Sequence, residues 1–208
     1  GTFGNSTGLR QVEECTDCPP GNYCDGSGLP NPRGPCDPGY YCSGRAYTSA
    51  PQGAPTGGLC PPGGYCPVGS SVPTACDAGT YNNFTGGRTQ LDCQACTPGF
   101  YCAGSNNPFP TGPCFAGYFC NGSATAPTQY ESEPGTYTDE GSSAPIPGPI
   151  GTYNPEFRKD ECEPCPPGSV CFTGATDAGT LCPAGTFCVG SNFLAEPCPE
   201  GSYNPFLG

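Results

Sequence analysis

The sequence predicts a small disulfide-rich all-β chain, an elongated tandem array of short cysteine-braced repeats with little regular secondary structure. Three observations carry that expectation. Nineteen cysteines stand among 208 residues beside 34 Gly and 29 Pro, a cysteine density that marks a disulfide scaffold. The string C-x-x-G-x-x-C returns seven times, at Cys18–Cys24, Cys36–Cys42, Cys60–Cys66, Cys96–Cys102, Cys114–Cys120, Cys165–Cys171 and Cys182–Cys188. Leu, Ile and Val are scarce and Met is absent, so small pockets around disulfides, each capped by a Tyr or Phe, must replace an aliphatic core.

Each element of the small repeat has a local reason. The Gly after C-x-x suits a turn position with positive φ, where a Cβ would clash. Pro one residue earlier fits the first corner of a type I or II turn. The aromatic before the second cysteine can then lie over the disulfide of its unit. The first cysteines step 18, 24 and 16 residues along Cys18, Cys36, Cys60 and Cys76, which leaves room for strands of a few residues only.

A larger unit encloses these. GTFGNSTGLRQVEEC (1–15) aligns without a gap to GTYNNFTGGRTQLDC (79–93), and C-x2-C-x5-C-x11-C-x5-C follows identically at Cys15–Cys42 and Cys93–Cys120. A third copy opens as GTYNPEFRKDEC (151–162), three residues shorter, and a fourth begins in CPEGSYNPFLG at Cys198. The expected organisation is module 1 over 1–78, module 2 over 79–130, module 3 over 151–197 and the start of a further repeat over 198–208. Between modules lies 131–150, which has no cysteine; Ser132 and Gly148 stand where a cysteine is due. That stretch reads as a Gly/Pro/Ser linker or an exchanged segment.

All nineteen cysteines are candidates for disulfides, and an odd count leaves at least one without a partner inside the chain. One scheme joins each repeat to the next, as Cys24–Cys36, Cys42–Cys60 and Cys66–Cys76. The C-x-x-C pairs Cys15/Cys18, Cys93/Cys96 and Cys162/Cys165 then close on themselves and Cys120 is left alone. A rival scheme closes the GTY loops as Cys76–Cys93 and strands Cys15, Cys162 and Cys198. The spacing does not choose between them, and either leaves a cysteine for an intermolecular bond.

Composition narrows the function. Paired cysteines at this density belong to an oxidising compartment, so an extracellular chain, secreted or on the cell surface, is expected. With no His and no paired zinc knuckles at a set distance, disulfides are favoured over metal clusters. The net charge of −12, with six basic residues, argues against nucleic acid and anionic membrane surfaces as partners. No stretch approaches the ~20 apolar residues of a membrane helix. The absence of an initiator Met and a signal peptide fits a processed chain or a piece of a longer one. Without His an acyl-transfer triad lacks its usual base, and paired carboxylates need a deep pocket that such repeats are poor at forming; no enzyme and no cofactor are expected. The acidic pairs Glu13–Glu14, Asp139–Glu140 and Asp160–Glu161 could hold calcium or simply keep the surface soluble.

Three sequons mark candidate N-glycosylation sites, at Asn5, Asn83 and Asn121. Asn5 and Asn83 occupy the same place in two aligned modules, whereas the third has Asn154-Pro155 there. Sugars at one point of a repeat would shield strand edges from uncontrolled pairing.

C-P-P-G-x-Y-C and C-x-x-G-T-Y-N…C-x-x-C resemble the ephrin-receptor-like cysteine-rich repeats, relatives of the growth-factor-receptor and tumour-necrosis-factor-receptor cysteine-rich modules. Arrays of C-P-x-G-Y-Y-C with proline-rich connections also look like mastigoneme proteins, the flagellar hairs of algae and other protists. The likeness covers most of the chain except 131–150. It implies a glycosylated extracellular rod or filament of disulfide-braced β modules. Receptor modules are usually less proline-rich, and no ligand-binding residue carries over from them. The resulting expectation is a structural subunit of an extracellular filament or cell-surface appendage, assembled head to tail from copies of itself, with other surface glycoproteins as further partners. The alternative is a cysteine-rich stalk or ligand-binding segment of a receptor or adhesin.

Overall fold

A computed structural model describes residues 1–191 and 194–208. The described residues form two compact units, Gly1–Cys96 with Cys102–Thr111, and Thr97–Tyr101 with Gly112–Gly208. Both are built from one element. Eleven two-stranded antiparallel sheets follow one another along the described chain, and every strand is two residues long. In each, the pair of residues after the repeat Gly meets the pair just before the next repeat: Asn22–Tyr23 with Gly34–Pro35, Tyr40–Tyr41 with Gly58–Leu59, Thr80–Tyr81 with Gln94–Ala95. Pro35, Pro113, Pro147 and Pro197 stand in second strands. A proline cannot donate to a ladder, so these positions add no N–H to the pairing. Helix is confined to two 3-10 turns, Val12–Glu14 and Gln90–Asp92.

The disulfides close within the repeat. Seven join the ends of C-x-x-G-x-x-C at a sequence separation of 6. The turn at the central Gly brings the two Cα atoms to 6.0 Å in Cys18–Cys24 and 5.8 Å in Cys60–Cys66, inside the usual range for a disulfide. The scheme linking neighbouring repeats is therefore overturned. Cys24, Cys42 and Cys66 pair backward, the C-x-x-C pairs do not close on themselves, and Cys120 bonds Cys114. The eighth bond is Cys76–Cys93, as the rival scheme has it. Cys15, Cys162 and Cys198, which were candidates for disulfides too, have no partner among the described residues.

What joins repeat to repeat is backbone. Gly21 N–H donates to the Cys42 carbonyl at 2.8 Å, and the Gly21 carbonyl accepts from Cys36 N–H at 3.0 Å. The same two bonds recur at Gly39 with Cys66 and Cys60, and at Gly63 with Asn82 and Cys76. In the second compact unit they recur at Gly117 with Thr138 and Ser132, and at Gly135 with Asn154 and Gly148. Both polar groups of each of these glycines are thus taken by the following repeat. A third bond reaches back at many of the repeats: the N–H of a left-handed residue after the repeat donates to the first cysteine position of the repeat before, as Arg45 to Cys18 and Gly69 to Cys36.

That backbone pattern explains why 131–150 is not a linker. Thr136–Tyr137 pairs with Ile146–Pro147 as in every other repeat. Ser132 and Thr138 sit fully buried in the two cysteine positions. The Ser132 hydroxyl is within hydrogen-bonding distance of the Gly117 and Lys159 carbonyls, at 3.1 and 3.2 Å, while Thr138 Oγ1 has no partner. The turn and the two glycine bonds build the repeat, and sulfur is an addition to it.

Cysteine supplies most of the buried apolar surface, joined by Ala46, Ala124 and Val170. The aromatic before the second cysteine covers the next repeat's disulfide. Tyr23 packs on Cys36, Cys42 and Ala46, and Tyr101 on Cys114, Cys120 and Ala124. Parallel single bridges from Tyr23 to Ala46 and Tyr101 to Ala124 fix those contacts.

Gly63 has φ +88°, and a Cβ there would stand 2.7 Å from the Asn106 carbonyl oxygen. Gly104, with φ +66°, has open space around it. Gly104→Ala should therefore lower the stability of the oxidised chain by about 1 kcal/mol, the cost of the left-handed conformation alone, and Gly63→Ala by well over about 2 kcal/mol. Chemical unfolding of the two variants checks this; equal losses would remove the close approach from the account.

Candidate functional site

Three loops interrupt the plain repeat, and they carry its chemistry: 4–15, 82–93 and 154–162. Each begins where the second cysteine of a repeat has been replaced, by Gly4, Asn82 or Asn154. Asn82 is fully buried. Its amide donates to the Gly64 carbonyl of the preceding repeat at 2.8 Å, and its oxygen accepts from Phe84 N–H at 3.2 Å. Asn154 repeats this, donating to Thr136 at 2.6 Å and accepting from Glu156. Asn204 does the same with Thr186 and Phe206. A side-chain amide thus ties two repeats where no disulfide closes the turn. These three residues escape a motif search for cysteines. The recurrent strings GTYN and GSYN, set against GNYC and GYYC, hold the only signal.

The first two loops share a stem. Glu14 accepts from Arg10 N–H at 2.7 Å, and Asp92 accepts from Arg88 and Thr89 N–H at 2.6 and 2.9 Å. Thr89 and Asp92 form a capping box on the 3-10 turn. Those backbone donors hold the Asp92 carboxylate below the usual range, so its contribution is present near neutrality and is lost as pH falls through its own lowered titration. On the outer side of these loops lie the sequons. Asn5 and Asn83 are exposed, as is Asn121 beside the left-handed Ser123.

Two of the three cysteines without a partner among the described residues fall at matching points. Cys15 and Cys162 occupy the loop position that Cys93 holds, and all three are half-buried, as is Cys198. Cys162 points at Gly148, where a Cβ would lie 2.9 Å from its Sγ. Gly148 thus stands in the place of the missing partner. Burial raises the Cys162 thiol pKa, offset in part by a hydrogen bond with Thr152.

Among the described residues no three acidic or cysteine side chains gather into a group that could hold a metal ion, so the acidic pairs considered for calcium are not brought together into a site. The charges that do meet among the described residues are surface ion pairs: Arg33 with Asp25 at 2.9 Å, Arg45 with Asp17 at 3.3 Å, Arg158 with Glu131 at 2.8 Å, and Lys159 with Glu156 and Glu163. Such pairs add little stability. A cleft of about 260 Å³ in the second compact unit is lined by Val170, Phe172, Leu181, Pro183, Leu194 and Ala195, with Thr180 beside them, and no titratable group reaches it. No described helix is long and apolar enough to cross a membrane.

No family model matches the chain. It is similar to the Sushi, von Willebrand factor type A, EGF and pentraxin domain-containing protein 1 of Rattus norvegicus and of Mus musculus, at 26% identity over 153 residues in each. The match covers 72% of this chain and 4% of the relative. Sixteen disulfide-bonded cysteines, nearly all buried, require an oxidising environment. The chain is an extracellular cysteine-rich module.

Two substitutions probe these loops. Asn82→Ala leaves the Gly64 carbonyl and the Phe84 N–H without partners and should cost about 1–3 kcal/mol. Amide exchange localised to 64–65 and 82–86 would register it, and unchanged protection there would refute the amide tie. Gly148→Cys should close a ninth disulfide with Cys162. A thiol assay would then find one reactive cysteine fewer, with a gain of about 3 kcal/mol for a loop of this length; an undiminished Cys162 thiol would show that the two do not meet.

Proposed function

We propose that the chain is a structural segment of a glycosylated extracellular filament or cell-surface appendage, stiffened by disulfides and assembled head to tail with copies of itself. The observation that carries the reading is the pair of backbone bonds at the repeat Gly, which within each compact unit joins a repeat to its successor in the same way. A fold propagated by such bonds is indifferent to length and suits an open, non-closing assembly. The likeness to ephrin-receptor-like repeats and to flagellar-hair proteins belongs to the same proposal. So does glycosylation at the exposed Asn5, Asn83 and Asn121. The reading assigns the chain no catalytic role.

Electron microscopy of native material, unreduced and reduced, tests it. Regular filaments that fall apart with thiol are expected if intermolecular disulfides make the joints, and filaments that survive reduction would move the joints to backbone and module packing. Monodisperse particles in both samples would sink the filament and leave a receptor or adhesin stalk as the function.

A further inference from the structure

Cys76–Cys93 stands apart from the other seven disulfides of the described residues. Every cysteine of those seven is buried, Cys188 being the most accessible at 7%. Cys93 is the one disulfide-bonded cysteine among the described residues that is not buried, and its partner Cys76 is fully covered. The bond also spans 17 residues rather than 6.

A second observation is independent of exposure. The hairpin that this bond closes is built again without it. Thr152–Tyr153 pairs with Glu163–Pro164 while Gly148 faces the unbonded Cys162. The glycine bond beneath it is equivalent in the two places, Cys96 N–H to Gly79 at 2.8 Å and Cys165 N–H to Gly151 at 2.9 Å. The loop over Cys93 has further ties of its own in Asn82 and the Thr89–Asp92 capping box. The same hairpin is thus built with the bond at one place and without it at the other.

We propose that Cys93 is the thiol–disulfide exchange site of this chain, taking a thiolate from outside the molecule. Exchange requires an attacking sulfur to reach one end of the bond, and Cys93 is the more accessible residue of the pair. The incoming thiolate bonds the Cys93 sulfur, the Cys76–Cys93 bond breaks, and its electron pair departs on Cys76, which takes a proton from water. One S–S bond forms as one is lost, with no net oxidation. The products are a mixed disulfide on the outer loop and a covered Cys76 thiol, which reverses the step by attacking Cys93 when the mixed disulfide is to be released. Small thiols and protein thiols share this chemistry.

The test is limited exchange of the intact native chain with reduced glutathione, followed by alkylation under acidic denaturing conditions and peptide mass spectrometry. A single glutathione is expected on Cys93 and an alkyl group on Cys76, while the seven short disulfides remain closed. Disulfide-linked copies of the chain joined through Cys93 would support the same site and name a protein thiol as its source. Adduct first on any other disulfide-bonded cysteine, on Cys76 in place of Cys93, or on none would overturn the proposal. The variant Cys76→Ser/Cys93→Ser should lose the adduct and retain amide protection in 79–82 and 94–96. Collapse of that protection would show the bond to be structural and overturn it as well.

Discussion

Everything in this chain depends on two hydrogen bonds made by a glycine. The repeat Gly turns the backbone with positive φ and offers its N–H and its carbonyl to the same successor, one to each end of the following turn. A side chain at that point would strike the carbonyl of a repeat two further on, as Gly63 would strike Asn106. Absence of a Cβ and satisfaction of both polar groups are therefore one constraint. It fixes the spacing of repeats, and the two-residue strands, the stacked aromatics and the disulfides are arranged around it. The short disulfides act within that frame. Each closes a loop of a few residues and so restricts the unfolded chain only modestly, by about 2 kcal/mol in the chain-entropy account.

Much of this was legible in the sequence. The all-β, disulfide-rich class followed from the cysteine, glycine and proline counts, and the positive-φ turn followed from C-x-x-G. The covering of sulfur by Tyr was visible in its place beside cysteine, although the disulfide covered is the next repeat's. The pairing was not legible, because separations within and between repeats are both short enough to close and the backbone register decides between them. The segment 131–150 was misread for a related reason. A motif defined by cysteine cannot see a repeat in which Ser132 and Thr138 fill the sulfur positions, whereas G-T-Y, present there at Gly135, marks the element that folds.

The candidate site was legible in part. The sequons were plain, and the structure leaves all three asparagines at the surface. Asn82, Asn154 and Asn204 were hidden, since a buried amide tie depends on a carbonyl 18 residues away. So was the left-handed residue after many of the repeats. It is Gly at Gly69 and Gly141 but Arg45, Asn106, Arg158 and Ser191 elsewhere, and no propensity points to a left-handed arginine or serine. Those residues are held there by the N–H each donates back along the chain, as Arg45 does to Cys18.

The confinement of seven disulfides to single turns bears on biosynthesis. A nineteen-cysteine chain has an enormous number of possible pairings, and a map joining distant segments would require the whole polypeptide to be present before the right set could be sorted out. Here each partner arrives six residues after the first, so a turn can oxidise as soon as it emerges into the secretory lumen, with neighbours still unmade. Loop closure over so short a span is fast, and a local contact asks little of chain search. Repetition thereby turns a combinatorial sorting problem into a sequence of small independent closures, made in the order of translation.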